Sequence, residues 1–254
     1  MSIREEVKEQ QKKLKDMTLK EKAGYFWDYY KVHTIVTLLV IIVGGVFIHD
    51  AVTAKDYAFS AILLNSYGTG DEELFRENFS AYAGIDLNTY DCYIDTASAL
   101  SYESMSQVDL AVSQRITAMS QTNGLDIFVS DSAPFANFAK SMMFIDLREE
   151  LNSEEFAKYE PYFYYIDGAT LNSGTDDITY DESGMPVVVD TSIDHSDPSS
   201  MADPIPVGIY IKDSSKLKEW ECYTASGESP ILGFVYSSQK KDLSHLFLQY
   251  LTEE

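Results

Sequence analysis

The chain has 254 residues, of which 45% are hydrophobic, and its 41 acidic residues outnumber 19 Lys and Arg to leave a net charge of −22. This length suits one globular domain with an appendage or two small ones, and 18 Tyr with 13 Phe exclude a disordered polyelectrolyte. The first 31 residues carry +2, so the remainder carries −24, a charge that repels phosphate backbones and excludes nucleic acid as a partner.

In chain order, residues 1–31 form a Lys-rich segment interleaved with acids, read as a solvated cytoplasmic extension. Thr18 and Glu21 stand at capping-box spacing, so a helix is expected from near Leu19. From Val32 to Ile48 no Asp, Glu, Lys or Arg occurs, and at about 1.5 Å per residue this run spans roughly 26 Å. Tyr25, Phe26, Trp27, Tyr29 and Tyr30 precede it as an interfacial belt, and residues 32–49 are read as a transmembrane helix crossing a lipid bilayer once. Lys and Arg crowd the N-terminal side while Lys55 alone follows closely. The positive-inside rule therefore expects a cytoplasmic N-terminus and an extracellular C-terminal domain in the cell membrane. The competing reading is a cleaved signal peptide ending at Val52-Thr53-Ala54, against which stand the long n-region and the long apolar run.

Residues 55–254 form the outer domain. Tyr57–Asn65 reads as a buried strand, and Thr69 with Glu72 predicts a capping box opening a helix through Leu74, Phe75, Phe79 and Tyr82 that ends at Gly84. A strand is expected over Tyr90–Thr96, a helix over Tyr102–Ser120 and a short strand over Leu125–Val129. A further helix carries Phe135, Phe138, Ala139 and Met142 on one face, with Asp131 as its N-cap. Strand alternating with helix predicts an α/β domain with a mostly parallel sheet. Residues 160–206 differ in composition: 178–190 reads as a hairpin turning at Glu182-Ser183-Gly184, and 191–203 as a mobile loop. Strands over Val207–Ile211 and Ile231–Tyr236 and a closing amphipathic helix through Leu243, Leu246, Phe247, Tyr250 and Leu251 complete the chain. The aromatic run Tyr159, Tyr162, Phe163, Tyr164 and Tyr165 is read equally as core or as an exposed docking patch.

No sequence pattern signals catalysis. The chain lacks a G-x-S-x-G elbow, an H-E-x-x-H helix, a Walker loop and a C-x-x-C pair. Tyr67-Gly68-Thr69-Gly70 has two glycines after a strand but neither a third glycine nor the Lys-Ser/Thr of a phosphate loop. The acids around His195 lack calcium-loop spacing, so no metal, no cofactor and no enzymatic activity is expected. Cys92 and Cys222 admit one disulfide in an oxidising compartment or two separate thiols, and spacing alone leaves both open. In an open α/β sheet a ligand binds beyond the carboxyl ends of the strands. That nominates Asn65, Ser66, Tyr67 and Thr69 after the first strand and Ser130, Asp131 and Ser132 after the third, with ordinary capping and turn chemistry as the alternative role.

The stretch Ile116–Leu151, with its Leu125-Asp126-Ile127-Phe128-Val129 strand and Phe144-Ile145-Asp146-Leu147 segment, resembles the first lobe of type 2 extracellular solute-binding proteins. Val207–Lys212 and the Phe247-Leu248-Gln249-Tyr250-Leu251 helix are similar to that family's late elements, so the likeness spans roughly Tyr57–Leu251. The lead-in from Tyr25 to His33 is similar to those of single-pass membrane proteins of Gram-positive bacteria. The resemblance implies one lobe of a periplasmic-binding-protein fold, anchored in the membrane, that takes a small polar solute without catalysis. The family's second lobe has only residues 160–206 in its place, reduced to a hairpin insertion, so a module that has lost its ligand and docks an envelope protein is the alternative.

Overall fold

The computed structural model describes residues 18–102, 105–171, 179–180, 186–187, 193–224, 227 and 229–253. It divides the chain into two compact units, Met1–Ala54 and Lys55–Glu254.

The described residues of the first unit form one helix, α1, Leu19–Thr53. The expected capping box forms: Thr18 Oγ1 accepts from the Glu21 N–H at 3.4 Å, and Glu21 Oε2 accepts from the Thr18 N–H at 2.8 Å. Within α1 the 20-residue window Tyr30–His49 has a mean hydropathy of 2.3, and none of it is buried. At about 1.5 Å per residue such a window is roughly 30 Å long, so the helix is long and apolar enough to cross a membrane.

The second unit is α/β, with strands β1 (Tyr57–Leu63), β2 (Asp91–Asp95), β3 (Ile127–Ser130), β4 (Phe163–Asp167), β7 (Pro204–Tyr210) and β8 (Ile231–Phe234) in the order β2-β1-β3-β8-β7-β4; β5 (Thr179–Tyr180) and β6 (Pro186–Val187) make a separate hairpin. Helices α2 (Glu72–Ala83) and α3 (Gln107–Gln121) are the crossovers that make β2-β1-β3 parallel. The expected mostly parallel sheet is therefore a mixed one, because every later pairing is antiparallel. After β3 the chain leaves through α4 (Ser132–Lys140), α5 (Leu147–Glu150) and α6 (Ser153–Tyr159) and re-enters at the far edge as β4. From there β7 returns alongside β4, and β8 fills the gap between β7 and β3, antiparallel to both. Between β4 and β7 lie α7 (Gly168–Leu171) and the β5–β6 hairpin; the expected turn at 182–184 lies outside the described residues.

Alternation along β1 builds a core on each face. Phe59, Ala61 and Leu63 pack against α2 and α9 (Lys241–Thr252), with α8 (Ser215–Glu219) at the margin; Ile62 and Leu64 face α3 and α4. On the first face Phe59, Phe79 and Phe247 meet with centroids 4.8 to 5.1 Å apart. On the second, Phe135 stacks on Phe144 at 4.4 Å over Gly208 of β7, where a Cβ would fall 2.6 Å from Phe135 Cζ. Both clusters draw only on residues between Phe59 and Leu251, so the core of this unit is complete without α1.

Several boundaries differ from the sequence expectation. The N-cap of α2 is Asp71, whose Oδ1 accepts from the N–H groups of Glu73 and Leu74 at 3.0 and 3.3 Å, and not Thr69. An Asx side chain immediately before the helix reaches those donors where a residue two positions earlier cannot. Gly84 ends α2 in the left-handed conformation as expected, at φ 70°. α3 begins at Gln107 behind a Ser106–Asp109 capping box, later than Tyr102. In the aromatic run Tyr159, Phe163 and Tyr164 are buried, so the core reading holds for these three; Tyr162 remains exposed. Residues 193–203, expected as a mobile loop, are tied to β4: Tyr165 donates its N–H to the His195 carbonyl at 2.8 Å, and Asp167 accepts from the N–H groups of Ala202 and Asp203.

Gly208→Ala forces a methyl into the Phe135 and Ile231 side chains and should cost about 1–3 kcal/mol. Urea unfolding of the 55–254 fragment should show a lower midpoint with an unchanged slope; an unchanged midpoint would mean that the Phe135 slot has room to spare.

Candidate functional site

Because β1 and β3 are parallel neighbours and the chain leaves them toward opposite sides of the sheet, a crevice is expected beyond their carboxyl ends. Asn65, Ser66, Ser130 and Asp131 meet there, all buried or half-buried, but they face the protein's own chain. The Asn65 amide donates to the Leu100 carbonyl at 3.0 Å and to Asp131 Oδ1 at 3.1 Å, and its Oδ1 accepts from the Leu100 N–H at 2.7 Å. Ser66 Oγ donates to the Thr96 carbonyl at 2.7 Å, and Ser130 Oγ to the Asp131 carbonyl at 3.0 Å. Asp131 occupies the N-cap position of α4 without a side-chain capping bond. Its carboxylate serves Asn65 instead.

The crevice is filled by Tyr223, which pattern and motif did not nominate. Its side chain is buried, its hydroxyl reaches the carbonyls of Leu64 at 2.9 Å and Val129 at 3.0 Å, and its N–H donates to the Ser66 carbonyl at 2.7 Å. Burial, with Cys222 and Asp131 nearby, drives its pKa far above the ordinary tyrosine value, so the hydroxyl stays protonated as a donor. The segment leading to it packs over the loop after β1. A Cβ on Gly68 would lie 2.8 Å from Cys222 Sγ, and one on Gly70 would lie 3.0 Å from the Trp220 ring. The paired glycines that suggested a fragment of a phosphate loop thus make room for residues 220–222. That pair is the only sequence signal that pointed to close approach here, and it could not say what approaches.

Tyr67 and Thr69 lie outside the crevice. Tyr67 is 64% exposed, and the Thr69 hydroxyl donates to Glu221. Among the described residues, four of the seven non-glycine residues with positive φ cluster here: Asn65 and Tyr67 in one loop, Glu221 and Tyr223 in the segment that closes on it. Left-handed backbone costs roughly 1–2 kcal/mol per residue, so this closure stores strain at one place in the fold. Ser132 is set apart, at the N-terminus of α4, beside a shallow depression of ≈ 340 Å³ that it shares with Pro161, Ser196, Tyr210, Lys212 and Ser229.

At the end of β2, Asp95 anchors the adjoining loop. It accepts from the N–H groups of Ala97 and Ser98 at 3.0 and 2.9 Å and from the Ser98 and Tyr93 hydroxyls, and it pairs with Arg115. Burial raises its pKa, but the Ser98 bonds, Arg115 and Tyr93 outweigh burial, and the net shift is downward.

Cys92 and Cys222 are both buried and unbridged. Burial pushes the Cys92 thiol up to about 11 and raises that of Cys222, so neither is a ready thiolate. Among the described residues no group of three or more His, Cys, Asp or Glu is placed to hold a metal ion.

No family model, curated protein or solved structure matches the chain. The reading of the site therefore rests on its own geometry.

Two outcomes check this geometry. Tyr223→Phe should cost about 1–2 kcal/mol by removing the hydroxyl donor that the Leu64 carbonyl shares with that of Val129, and Tyr223→Ala about 3–5 kcal/mol by emptying the crevice, both read by urea unfolding. Because the folded pKa of Asp95 is depressed, its stabilisation is present above the unfolded value of about 3.9 and is lost as pH falls through the folded value. Asp95→Asn should therefore lower stability at neutral pH and flatten its dependence on pH at the acid end. An equally steep acid limb in the variant would assign acid sensitivity to other groups.

Proposed function

We propose that this chain is a single-pass membrane protein whose outer α/β domain, a one-lobe relative of the solute-binding fold, docks an envelope protein and has no catalytic role. The observation that carries this reading is Tyr223. The crevice in which an open α/β sheet holds its ligand is filled by the protein's own side chain, hydrogen-bonded to both strand-end carbonyls. The exposed, strained Tyr67 beside the plug gives the same end an aromatic of the kind that anchors protein interfaces.

Anchoring follows from α1, whose apolar window is unburied and would be costly in water. The Lys-rich residues before it favour a cytoplasmic N-terminus, which puts the acidic domain outside the cell membrane. A second reading, binding of a small polar or anionic solute, draws on the depression beside Ser132, where Lys212 and Tyr210 face the start of α4.

A thermal-shift screen of the 55–254 fragment against sugars, amino acids, peptides and inorganic anions separates the two. The docking reading expects no saturable stabilisation. A solute at 100 times its Kd should add about 2.7 kcal/mol, and a reproducible shift of that kind, lost in Lys212→Ala, would overturn docking in favour of solute binding. Docking further expects a photoreactive group at position 67, but not one at Val108 on α3, to give a discrete, saturable adduct in native membranes.

A further inference from the structure

We propose that the opposite end of the domain is a lipid-contacting surface, in which Met142 and Tyr236 enter the headgroup region and Lys140 and Lys240 meet anionic headgroups. This inference rests on the membrane-anchor reading above. The strand directions put the start of β1, the start of β3 and the end of β8 at one end of the sheet. The domain's first residue, Lys55, enters at that end, two positions after the last residue of α1.

Two large side chains are presented there without a structural reason. Met142 follows α4 with φ 55°, its N–H bonded to the Ala139 carbonyl and that of Met143 to the Phe138 carbonyl at 2.9 and 3.2 Å. This is the left-handed helix-terminating position that glycine usually occupies, so a methionine there is conformationally costly. Its side chain is 70% exposed, so core packing does not repay the cost. Tyr236 is also 70% exposed, and its N–H bonds the carbonyl of Met143, the residue after Met142, at 2.9 Å. Tyrosine favours the membrane–water interface, and methionine adds flexible apolar surface.

Charge selects the partner. Elsewhere in this acidic domain Arg76, Arg115, Arg148, Lys216, Lys218 and Lys241 pair with carboxylates, Lys158 and Lys212 lie over the rings of Tyr159 and Tyr162, and Lys55 bonds the Leu87 carbonyl. Lys140 and Lys240 are exposed and have no ion pair among the described residues. They flank the Met142–Tyr236 pair, two positions before Met142 and four after Tyr236. At physiological salt a charge is felt over about 8 Å, so a membrane at this end senses the charges of this end and not the acids of the rest of the domain. Each lysine near an anionic surface contributes on the order of 1 kcal/mol, enough to orient a domain that is already tethered. The exposed acids at this end include Asp56, Asp86 and Asp242, which Lys55, Lys140 and Lys240 offset.

The test uses the full chain in vesicles of phosphatidylglycerol and phosphatidylcholine containing nitroxide-labelled lipid. Trp27, just before the Tyr30–His49 window, reports on the anchor in the parent chain, and Trp220 is buried within the domain. The indole introduced by Tyr236→Trp should lose emission to the nitroxide while that from Tyr67→Trp, at the other end, keeps it. The loss should shrink in phosphatidylcholine alone, in high salt and in the added Lys140→Glu/Lys240→Glu background. Quenching of Trp27 without quenching at position 236 overturns this inference and leaves the anchor standing. An unquenched Trp27 removes the anchor reading and this one with it. Emission at position 236 that follows protein-to-lipid ratio and not lipid charge would show a second copy of the chain covering the patch, and would also overturn the proposal.

Discussion

Where the parallel strands β1 and β3 end, the Leu64 carbonyl is buried beside that of Val129, which already accepts from the Leu64 N–H at 2.8 Å. A buried carbonyl left short of a partner costs about 1–3 kcal/mol, and the hydroxyl of Tyr223 lies within bonding reach of both, its one proton shared between them. The neighbouring geometry follows from that contact. The chain must cross the loop after β1 closely enough to deliver Tyr223, so Gly68 and Gly70 are without side chains where Cys222 and Trp220 pass. It must also turn sharply on both sides of the crossing, which puts Asn65, Tyr67, Glu221 and Tyr223 at positive φ. Trp220 then lies over Phe75 with centroids 5.4 Å apart, joining the closure to the core beneath α2.

The two ends of the sheet are thus built on different principles. One end is dry and internally bonded, with the polar groups of Asn65, Ser66 and Ser130 engaged by backbone within the domain. The end where the chain enters is joined by short bridges such as the Ser237 hydroxyl on the Ser120 carbonyl, and it leaves large side chains outside.

The elements that sequence located were those with local, periodic signals. The apolar run of α1, the alternation in β1, the helix face of Phe135 and Phe138 and the closing helix all carry their burial pattern in neighbouring residues. The sheet's mixed sense was not legible, because the direction in which β4 re-enters is set by packing across the whole face and not by residues within the strand. The capping error has a simple cause. Thr69 and Glu72 match a box by spacing, but Asp71 stands nearer to the free N–H groups and takes them. At the candidate site the strand-end rule led to the carboxyl ends of β1 and β3, where Asn65 bonds Asp131. What fills it lies 92 residues further along than Asp131, in a segment with no period, so |i−j| separations of 159 and 94 between Tyr223 and its two carbonyl partners put the decisive contact beyond any local pattern.

The plug also bears on whether a solute could occupy the β1–β3 crevice. In a two-lobed protein, closure supplies the second wall of the site and excludes water; here the residues between β4 and β7 supply only the short β5–β6 hairpin among the described strands. A solute entering the β1–β3 crevice would first have to expel Tyr223. Displacing a buried aromatic of this size costs on the order of 3–5 kcal/mol, which weakens apparent affinity by roughly two to four powers of ten. A ligand recovers that only if its own hydroxyl or amine serves Leu64 and Val129 better than Tyr223 does, from a site open on one side to water. Under the docking reading proposed above, the same cost works in favour of a protein partner. A closed, strained surface with Tyr67 standing clear of it is already ordered before contact, so docking there does not spend binding energy on arranging the loop.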